Sequence, residues 1–297
     1  MRILIPEFMD APAVGELRAA HDVLYDPRLV DDMPRLLAEA SQCDAIIVRN
    51  RTQVKGELLA ALTRCTVVGR LGVGLDNIDV RGCESRGMRV IPATGANALS
   101  VAEYVIGTAM FLLRGAYAAT ADVAAGRWPR SALSQGRELA GKTLGLVGYG
   151  SIGQLTGKLA ETLGMQVMAF DPALKDSRVT LEQLLTQADV VSLHVPLLDA
   201  TRNLIDAQRI ASMKKGAILV NTARGGIVDE QAVASALRGG HLGGAALDVF
   251  ADEPLKAAPH FDGCPNLVLT PHIAGVTSES NERVSSVIAT KVLEALR

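Results

Sequence analysis

The chain has 297 residues, of which 48% are hydrophobic and 21% charged, and a net charge of -2, the composition of a globular protein with room for two cores. Without a basic excess or a Lys/Arg run, no nucleic-acid partner is expected, and without an apolar stretch of about 20 residues no membrane span is expected either. Four scattered cysteines, Cys43, Cys65, Cys83 and Cys264, form no Cys-x-x-Cys pair, which argues against a disulfide framework or a metal site. With a strand-like opening in place of a signal peptide, they point to a cytoplasmic protein.

In chain order, Ile3 to Pro6, Val23 to Tyr25, Ala45 to Val48, Thr66 to Gly69 and Arg89 to Pro92 read as five short apolar strands. Amphipathic stretches such as Pro34 to Ala40 and Gly56 to Leu62 separate them, which predicts an α/β fold with a parallel, doubly wound sheet. A long apolar helix is predicted over Ser100 to Arg114, with Ser100 as N-cap and Glu103 completing a capping box. A polar, irregular stretch from Gly126 through Trp128 to Glu138 follows. A second α/β series then begins: Thr143 to Val147, Gln166 to Phe170, Val190 to His194, Ala217 to Asn221, Ala245 to Val249 and Leu267 to Thr270. Six strands suit a full dinucleotide-binding sheet. The last helix, Ser278 to Arg297, comes after that sheet and is expected to pack on the first. The expected organisation is therefore a flavodoxin-like domain of residues 1–96 plus 276–297, with a Rossmann domain inserted as residues 97–275. Ligands bind outside the carboxyl ends of such strands, so a cleft between the domains is the expected site.

The strand Thr143 to Val147 runs into Gly148-Tyr149-Gly150-Ser151-Ile152-Gly153, followed by a helix. Gly148 permits the tight turn, Gly150 lets backbone approach a pyrophosphate, and Gly153 allows close helix packing. The helix start offers free N–H groups and a positive dipole end. Asp171 ends the next strand, where a carboxylate accepts from both ribose hydroxyls and repels a 2′-phosphate, so NAD is the expected cofactor; Lys175 lies close by. Later strand ends are expected to line the same cleft: His194-Val195-Pro196, Asn221-Thr222-Ala223-Arg224, Asp248 and Thr270-Pro271-His272, with Gly275 a further cofactor candidate. Asp248 is a candidate for holding a nicotinamide carboxamide, and Thr201 for capping a phosphate.

Three polar residues follow apolar runs beyond this loop: Arg224, Glu253 and His272. A 2-keto acid that accepts a hydride needs its carboxylate held, its carbonyl polarised and its oxygen protonated. Arg224 offers a fixed bidentate cation. His272 is the candidate general acid/base. Glu253, in contact with His272, would favour the imidazolium.

With these motifs in place, the chain resembles the D-isomer-specific 2-hydroxyacid dehydrogenases, the family of D-3-phosphoglycerate and D-lactate dehydrogenases. The resemblance spans essentially the whole chain. It rests on Gly69 to Ile78, Gly95-Ala96-Asn97 with Val101-Ala102-Glu103, the glycine loop, Asn221 to Gly225, Asp248, Glu253-Pro254 and Thr270 to Gly275. It implies an Arg224/Glu253/His272 triad, a carboxylate grip by backbone N–H groups near Val73 and Gly74, and a homodimer whose arm lies at about residues 100–140. With the chain ending at Arg297, serine feedback through a C-terminal regulatory domain is not expected.

Arg49, Arg51 and Arg70 each follow a predicted strand of the first domain, Arg70 leading into the turn Leu71-Gly72-Val73-Gly74. Together they suggest a small 2-hydroxy acid with a second anionic group on its third carbon. 3-Sulfolactate and D-3-phosphoglycerate compete for that description. The segments Glu7 to Asp10, Tyr25 to Asp32 and Val48 to Thr52 look similar to the (S)-sulfolactate dehydrogenases. The stereochemistry agrees: sulfur raises the priority of the side-chain carbon, so the (S)-sulfonate has the spatial arrangement of D-lactate. An NAD-sensing binding protein without turnover is the alternative of another class.

Overall fold

The structure, a computed structural model, describes residues 1–174 and 179–297. The chain forms two compact units, Met1–Asn97 with Val276–Arg297, and Ala98–Gly275.

In the first unit, β1 (Arg2–Ile5), β2 (Asp22–Tyr25), β3 (Ala45–Val48), β4 (Val67–Arg70) and β5 (Arg89–Pro92) form one sheet in the order β2-β1-β3-β4-β5. All its pairings are parallel, the flavodoxin-like order. The central strand β3, Ala45-Ile46-Ile47-Val48, is buried at every position, as a parallel strand covered on both faces must be. One face packs Ile3, Ile5, Ile47 and Val67 against Val14 and Leu17 of the helix Ala11–Ala20 and Ile288 and Val292 of the helix Ser278–Ala295. The other face packs Leu4, Ile46 and Val68 against Leu36, Leu58 and Leu59. The final helix thus returns to the first sheet, and Gly69 lies against it: a Cβ there would stand 3.0 Å from Ile288.

In the second unit, β6 (Thr143–Val147), β7 (Gln166–Phe170), β8 (Val190–Leu193), β9 (Ile218–Asn221), β10 (Gly244–Leu247) and β11 (Leu267–Leu269) are all parallel. Their order is β11-β10-β9-β8-β6-β7. The order reverses beside β6, so the loop after β6 sits at the switch point where such sheets bind ligands. Beyond β7 no further strand pairs among the described residues. Among the described residues the sheet is thus doubly wound around β6, as expected of a Rossmann domain.

One expected element starts elsewhere. The apolar helix runs over Ala98–Arg114, two residues earlier than read from the sequence. Ser100 is therefore inside the first turn, buried with Val101, Ala102 and Val105, and is not a cap. Apolar burial of Ala98 draws the helix start forward and overrides the capping preference of Ser100. The segment after it carries a short helix, Thr120–Ala124, and exposes Tyr117, Val123 and Trp128. Among the described residues no single helix is long and apolar enough to cross a membrane.

Candidate active site

The loop after β6 is shaped by three glycines in three ways. Gly148 has φ 97°, and a Cβ there would stand 2.6 Å from the His194 carbonyl oxygen. A Cβ on Gly153 would overlap the Gly148 carbonyl, so the helix Ser151–Thr162 can approach the loop only with glycine at that place. Gly150 faces open space, with no atom within 4 Å of the point a Cβ would occupy. The helix has no side-chain cap and no acidic residue in its first turn, so its N–H groups and positive end are left for an anion.

Asp171, at the end of β7, accepts from Tyr149 N at 2.8 Å and from Ala173 N at 2.9 Å. It thereby anchors the glycine loop, and a carboxylate has lone pairs left over for a diol. Lys175 lies outside the described residues. Beside Asp171 is a cavity of about 530 Å³, lined by Phe170, Pro172, Val195, Thr201 and Leu204 among others. Thr201 is engaged locally as well: its hydroxyl donates to Pro196 O at 2.6 Å and accepts from Leu198 N at 2.8 Å. His194 lies 3.0 Å from Ser192 Oγ, and burial pushes its pKa down to about 4, so its ring is neutral. Ile152 and Ser151 open the helix. Thr222 Oγ1 is buried without a hydrogen-bond partner among the described residues, next to buried Ala223. An open glycine, a free helix start, an anchored carboxylate, a cavity and an orphaned hydroxyl fit a dinucleotide such as NAD.

The second part of the site is built on the ends of β9, β10 and β11, which are neighbours: Leu247 pairs with Asn221 and with Leu269. Asn221, 1% exposed, accepts from Ala223 N at 3.1 Å and donates to Arg224 O at 2.9 Å, folding the turn that presents Arg224. Arg224 Nη1 donates to Ala223 O at 2.6 Å. Glycine follows at 225 because a Cβ there would overlap the Phe250 carbonyl, so the Arg224 loop touches the loop that carries Glu253.

Glu253 and His272 meet directly, His272 Nδ1 to Glu253 Oε2 at 2.7 Å, while Glu253 Oε1 accepts from Phe250 N at 3.0 Å. Burial raises the Glu253 pKa, but the His272 hydrogen bond, the Phe250 N–H and the charges of His272 and Arg224 together carry it below the ordinary carboxylate value. The carboxylate therefore stays ionised and orients the ring. His272 Nε2 has no partner among the described residues and remains available to a substrate.

His272 has φ 55°, left-handed backbone that costs energy for a residue with a Cβ. Asp248 holds it there. Its backbone carbonyl accepts from His272 N at 2.8 Å. Its carboxylate, 1% exposed, accepts from Thr270 Oγ1 (2.6 Å), Ile273 N (2.8 Å) and Ala274 N (2.9 Å), and Tyr104 hydroxyl lies 2.6 Å from Thr270 Oγ1. The carboxylate expected at a carboxamide thus has a structural task as well: it ties the turn from Thr270 to Gly275. Tyr104 is not among the sequence candidates, and nothing in its spacing marks it; Thr270 is expected there only as part of the strand end that carries His272.

In the first unit the three candidate arginines part company. Arg51 is exposed and paired with Asp31, and this pair raises its pKa. Its charge is thus already answered by a neighbour on the surface of the unit. Arg70 Nη1 donates to Leu71 O at 2.6 Å, and its guanidinium lies where a Cβ on Gly72, φ 153°, would fall; it shapes the turn. Arg49 is half-buried, with Nη2 donating to Asn281 Oδ1 at 2.8 Å. Leu71 N bonds to Val48 O at 2.8 Å, which sets the turn after β4 beside Arg49. No acceptor among the described residues takes the Val73 or Gly74 N–H. Glu7 and Asn77, which fix the Arg49 loop, were also missed; a carboxylate just after β1, level with cations after β3, is the signal that was present.

A doubly wound unit with a glycine loop at its switch point, and a cation, carboxylate and imidazole at neighbouring strand ends, defines a nicotinamide-dependent oxidoreductase. The family profile described as D-isomer specific 2-hydroxyacid dehydrogenase, NAD binding domain, matches residues 106–274, and the chain belongs to this family of NAD-dependent oxidoreductases. It is 52% identical over 303 residues to the (S)-sulfolactate dehydrogenase of Chromohalobacter salexigens, covering 99% of this chain and 98% of that one. It is 41% identical over 273 residues to the D-3-phosphoglycerate dehydrogenase of Mycobacterium bovis, covering 89% of this chain but about half, 51%, of that protein. A crystal structure of D-lactate dehydrogenase from Aquifex aeolicus, complexed with NAD and lactic acid, superposes with a TM-score of 0.84 at 28% identity, covering 100% of this chain and 95% of that one.

Proposed function

We propose that this protein oxidises the C2 hydroxyl of (S)-3-sulfolactate to give 3-sulfopyruvate, with NAD as hydride acceptor. The observation that carries the chemistry is the 2.7 Å contact between His272 and the ionised Glu253, with Nε2 open. In oxidation neutral His272 takes the hydroxyl proton at Nε2, and Glu253 stabilises the imidazolium that results. Arg224 holds the substrate carboxylate and polarises the C2 oxygen. The C2 hydrogen leaves with its electron pair to the cofactor, so the alcohol becomes a ketone and one proton is released. Reduction runs the same steps backward from protonated His272.

For the cofactor, the proposal takes the loop from Gly148 to Gly153 for the pyrophosphate and Asp171 for the ribose. The cavity wall at Val195, with Pro196 following it, takes the adenine side, and Thr222, His194, Asp248 and Gly275 lie along the nicotinamide side. For the substrate it takes the Val73 and Gly74 N–H groups as carboxylate receptor and Arg49 as receptor of the second anion. The 52% identity to a sulfolactate enzyme supports the sulfonate over the phosphate. A cytoplasmic homodimer belongs to the same reading. Four free cysteines suit a reducing compartment, and the exposed Met110, Tyr117, Val123 and Trp128 suit burial against a second copy.

The test is NADH formation with (S)-sulfolactate, D-3-phosphoglycerate, D-lactate and D-glycerate side by side. Selective turnover of (S)-sulfolactate is expected. A best rate on D-3-phosphoglycerate would move the substrate assignment, and equal weak rates on the monoanions would overturn the second-anion argument.

A further inference from the structure

Glu7 is a buried carboxylate of the first unit that the proposed chemistry does not use. It follows β1, is 3% exposed, and pairs with no cation among the described residues. Its oxygens instead accept from three consecutive parts of one loop: Oε2 from Arg49 N at 2.8 Å and Thr52 N at 3.0 Å, Oε1 from Arg51 N at 3.0 Å. Asn77 holds the same loop from the opposite side, its Nδ2 donating to Arg49 O at 3.0 Å and Thr52 O at 2.8 Å. Two buried side chains thus fix the backbone of residues 49–52, a rigidity that an ordinary surface turn does not require.

The side chain that leaves this fixed loop is Arg49. Its guanidinium lies 5.6 Å from the centroid of the Phe8 ring and donates to Asn281 Oδ1 at 2.8 Å. No carboxylate pairs with it among the described residues, although four other arginines of this unit form ion pairs. Burial pulls its pKa down, and only the charge of Glu7 opposes that. A guanidinium carries five donors, and the side chain that accepts from it among the described residues, Asn281, is neutral. A carboxylate at 281 would orient Arg49 equally well but would cancel its charge; a carboxamide orients the group and leaves the charge for a ligand. Arg49 also stands beside the turn whose Val73 and Gly74 N–H groups are open, because β3 and β4 are paired through Val48 and Arg70. Anion receptors on the adjacent loops after β3 and β4 suit a three-carbon acid with an oxyanion at each end.

We propose that Asn281 and Glu7 are positioning residues that present Arg49 as an unneutralised receptor for a tetrahedral oxyanion, sulfonate or phosphate, on the third carbon of the substrate. They thereby set the preference for dianionic over monoanionic 2-hydroxy acids. The proposal rests on the second-anion reading of the substrate.

The test compares kcat and KM for (S)-sulfolactate, D-3-phosphoglycerate and D-lactate in the wild type, Asn281→Asp and Glu7→Gln. In Asn281→Asp the new carboxylate pairs with Arg49 without changing side-chain shape. The expected result is a loss of about tenfold or more in kcat/KM on the preferred dianion, carried by KM, with D-lactate within about twofold of wild type. Glu7→Gln has one acceptor oxygen in place of two and turns an NH2 toward a backbone N–H. It should show the same split, with thermal melting recorded beside it. Equal losses on D-lactate and the dianion in Asn281→Asp, or no loss on either, would overturn the proposal whatever Glu7→Gln does. A wild type that prefers D-3-phosphoglycerate would displace the sulfonate reading alone, and the proposal would stand if Asn281→Asp removed that preference. A wild type indifferent to the second anion would overturn both.

Discussion

Replacing Glu253 by Gln removes one negative charge beside the proposed general base and leaves the size of the side chain unchanged. The two groups meet at 2.7 Å, which puts their charge centres about 4 Å apart, where the interaction is about 1 kcal/mol in water and about 4 kcal/mol at an effective dielectric of 20. The side chains are 41% and 34% exposed, so solvent screening keeps the pair near the lower end. We take about 1.4 kcal/mol, which corresponds to about one pH unit. In the wild type the Glu253 pKa is lowered, so the carboxylate remains charged down to acid pH and favours imidazolium throughout the working range. Without that charge the neutral ring, the form that accepts the hydroxyl proton, survives to lower pH. The assay is the pH profile of kcat in the oxidation direction. The acid limb of Glu253→Gln should move down by about one pH unit. The plateau should fall by about tenfold, because one amide oxygen cannot serve both His272 Nδ1 and Phe250 N. An acid limb that stays in place, or moves up, would refute the electrostatic role assigned to Glu253.

His272→Ala should lower turnover by about 100-fold or more while NADH fluorescence still reports cofactor binding, since loss of a general acid/base costs that order. Near-normal turnover would remove His272 from the mechanism. The two loop glycines should separate: Gly153→Ala, whose methyl would overlap the Gly148 carbonyl, should lower the melting temperature through about 1–3 kcal/mol of overpacking. Gly150→Ala should melt like wild type but bind NAD more weakly, because its methyl enters open space where the pyrophosphate is expected. Arg51→Ala should change stability by about 1 kcal/mol or less and leave the dianion preference intact, as suits an exposed ion pair with Asp31. Loss of that preference would restore Arg51 as a receptor.

The strands of both units were legible because fully buried parallel strands read as unbroken apolar runs: Ala45 to Val48 and Val190 to Leu193 are buried at every position. The glycine loop was legible because its chemistry is local in sequence. The doubly wound order was legible as well, because strands that alternate with helices leave few parallel arrangements, and the reversal beside β6 falls where the glycine loop lies. Ser100 misled because a local cap signal competes with apolar burial two residues earlier, and burial is the larger effect. At the site, residue types marked Glu253 and His272, but neither their contact nor the left-handed backbone of His272 follows from spacing. Both depend on Asp248 and its bonds across 22 to 26 residues. Arg49 and Arg51 look alike in sequence. Only the folded chain separates one that faces Asn281, 232 residues away, from one that faces Asp31.

The central claim is that hydride leaves C2 of a D-configured acid bearing a second anion. The most direct measurement is the initial rate of NADH formation from (S)-sulfolactate beside the same rate from its (R) enantiomer. Steady NADH formation is expected from the (S) form and none above background from the (R) form. Equal rates on both, or NADH only from the (R) form, would contradict it.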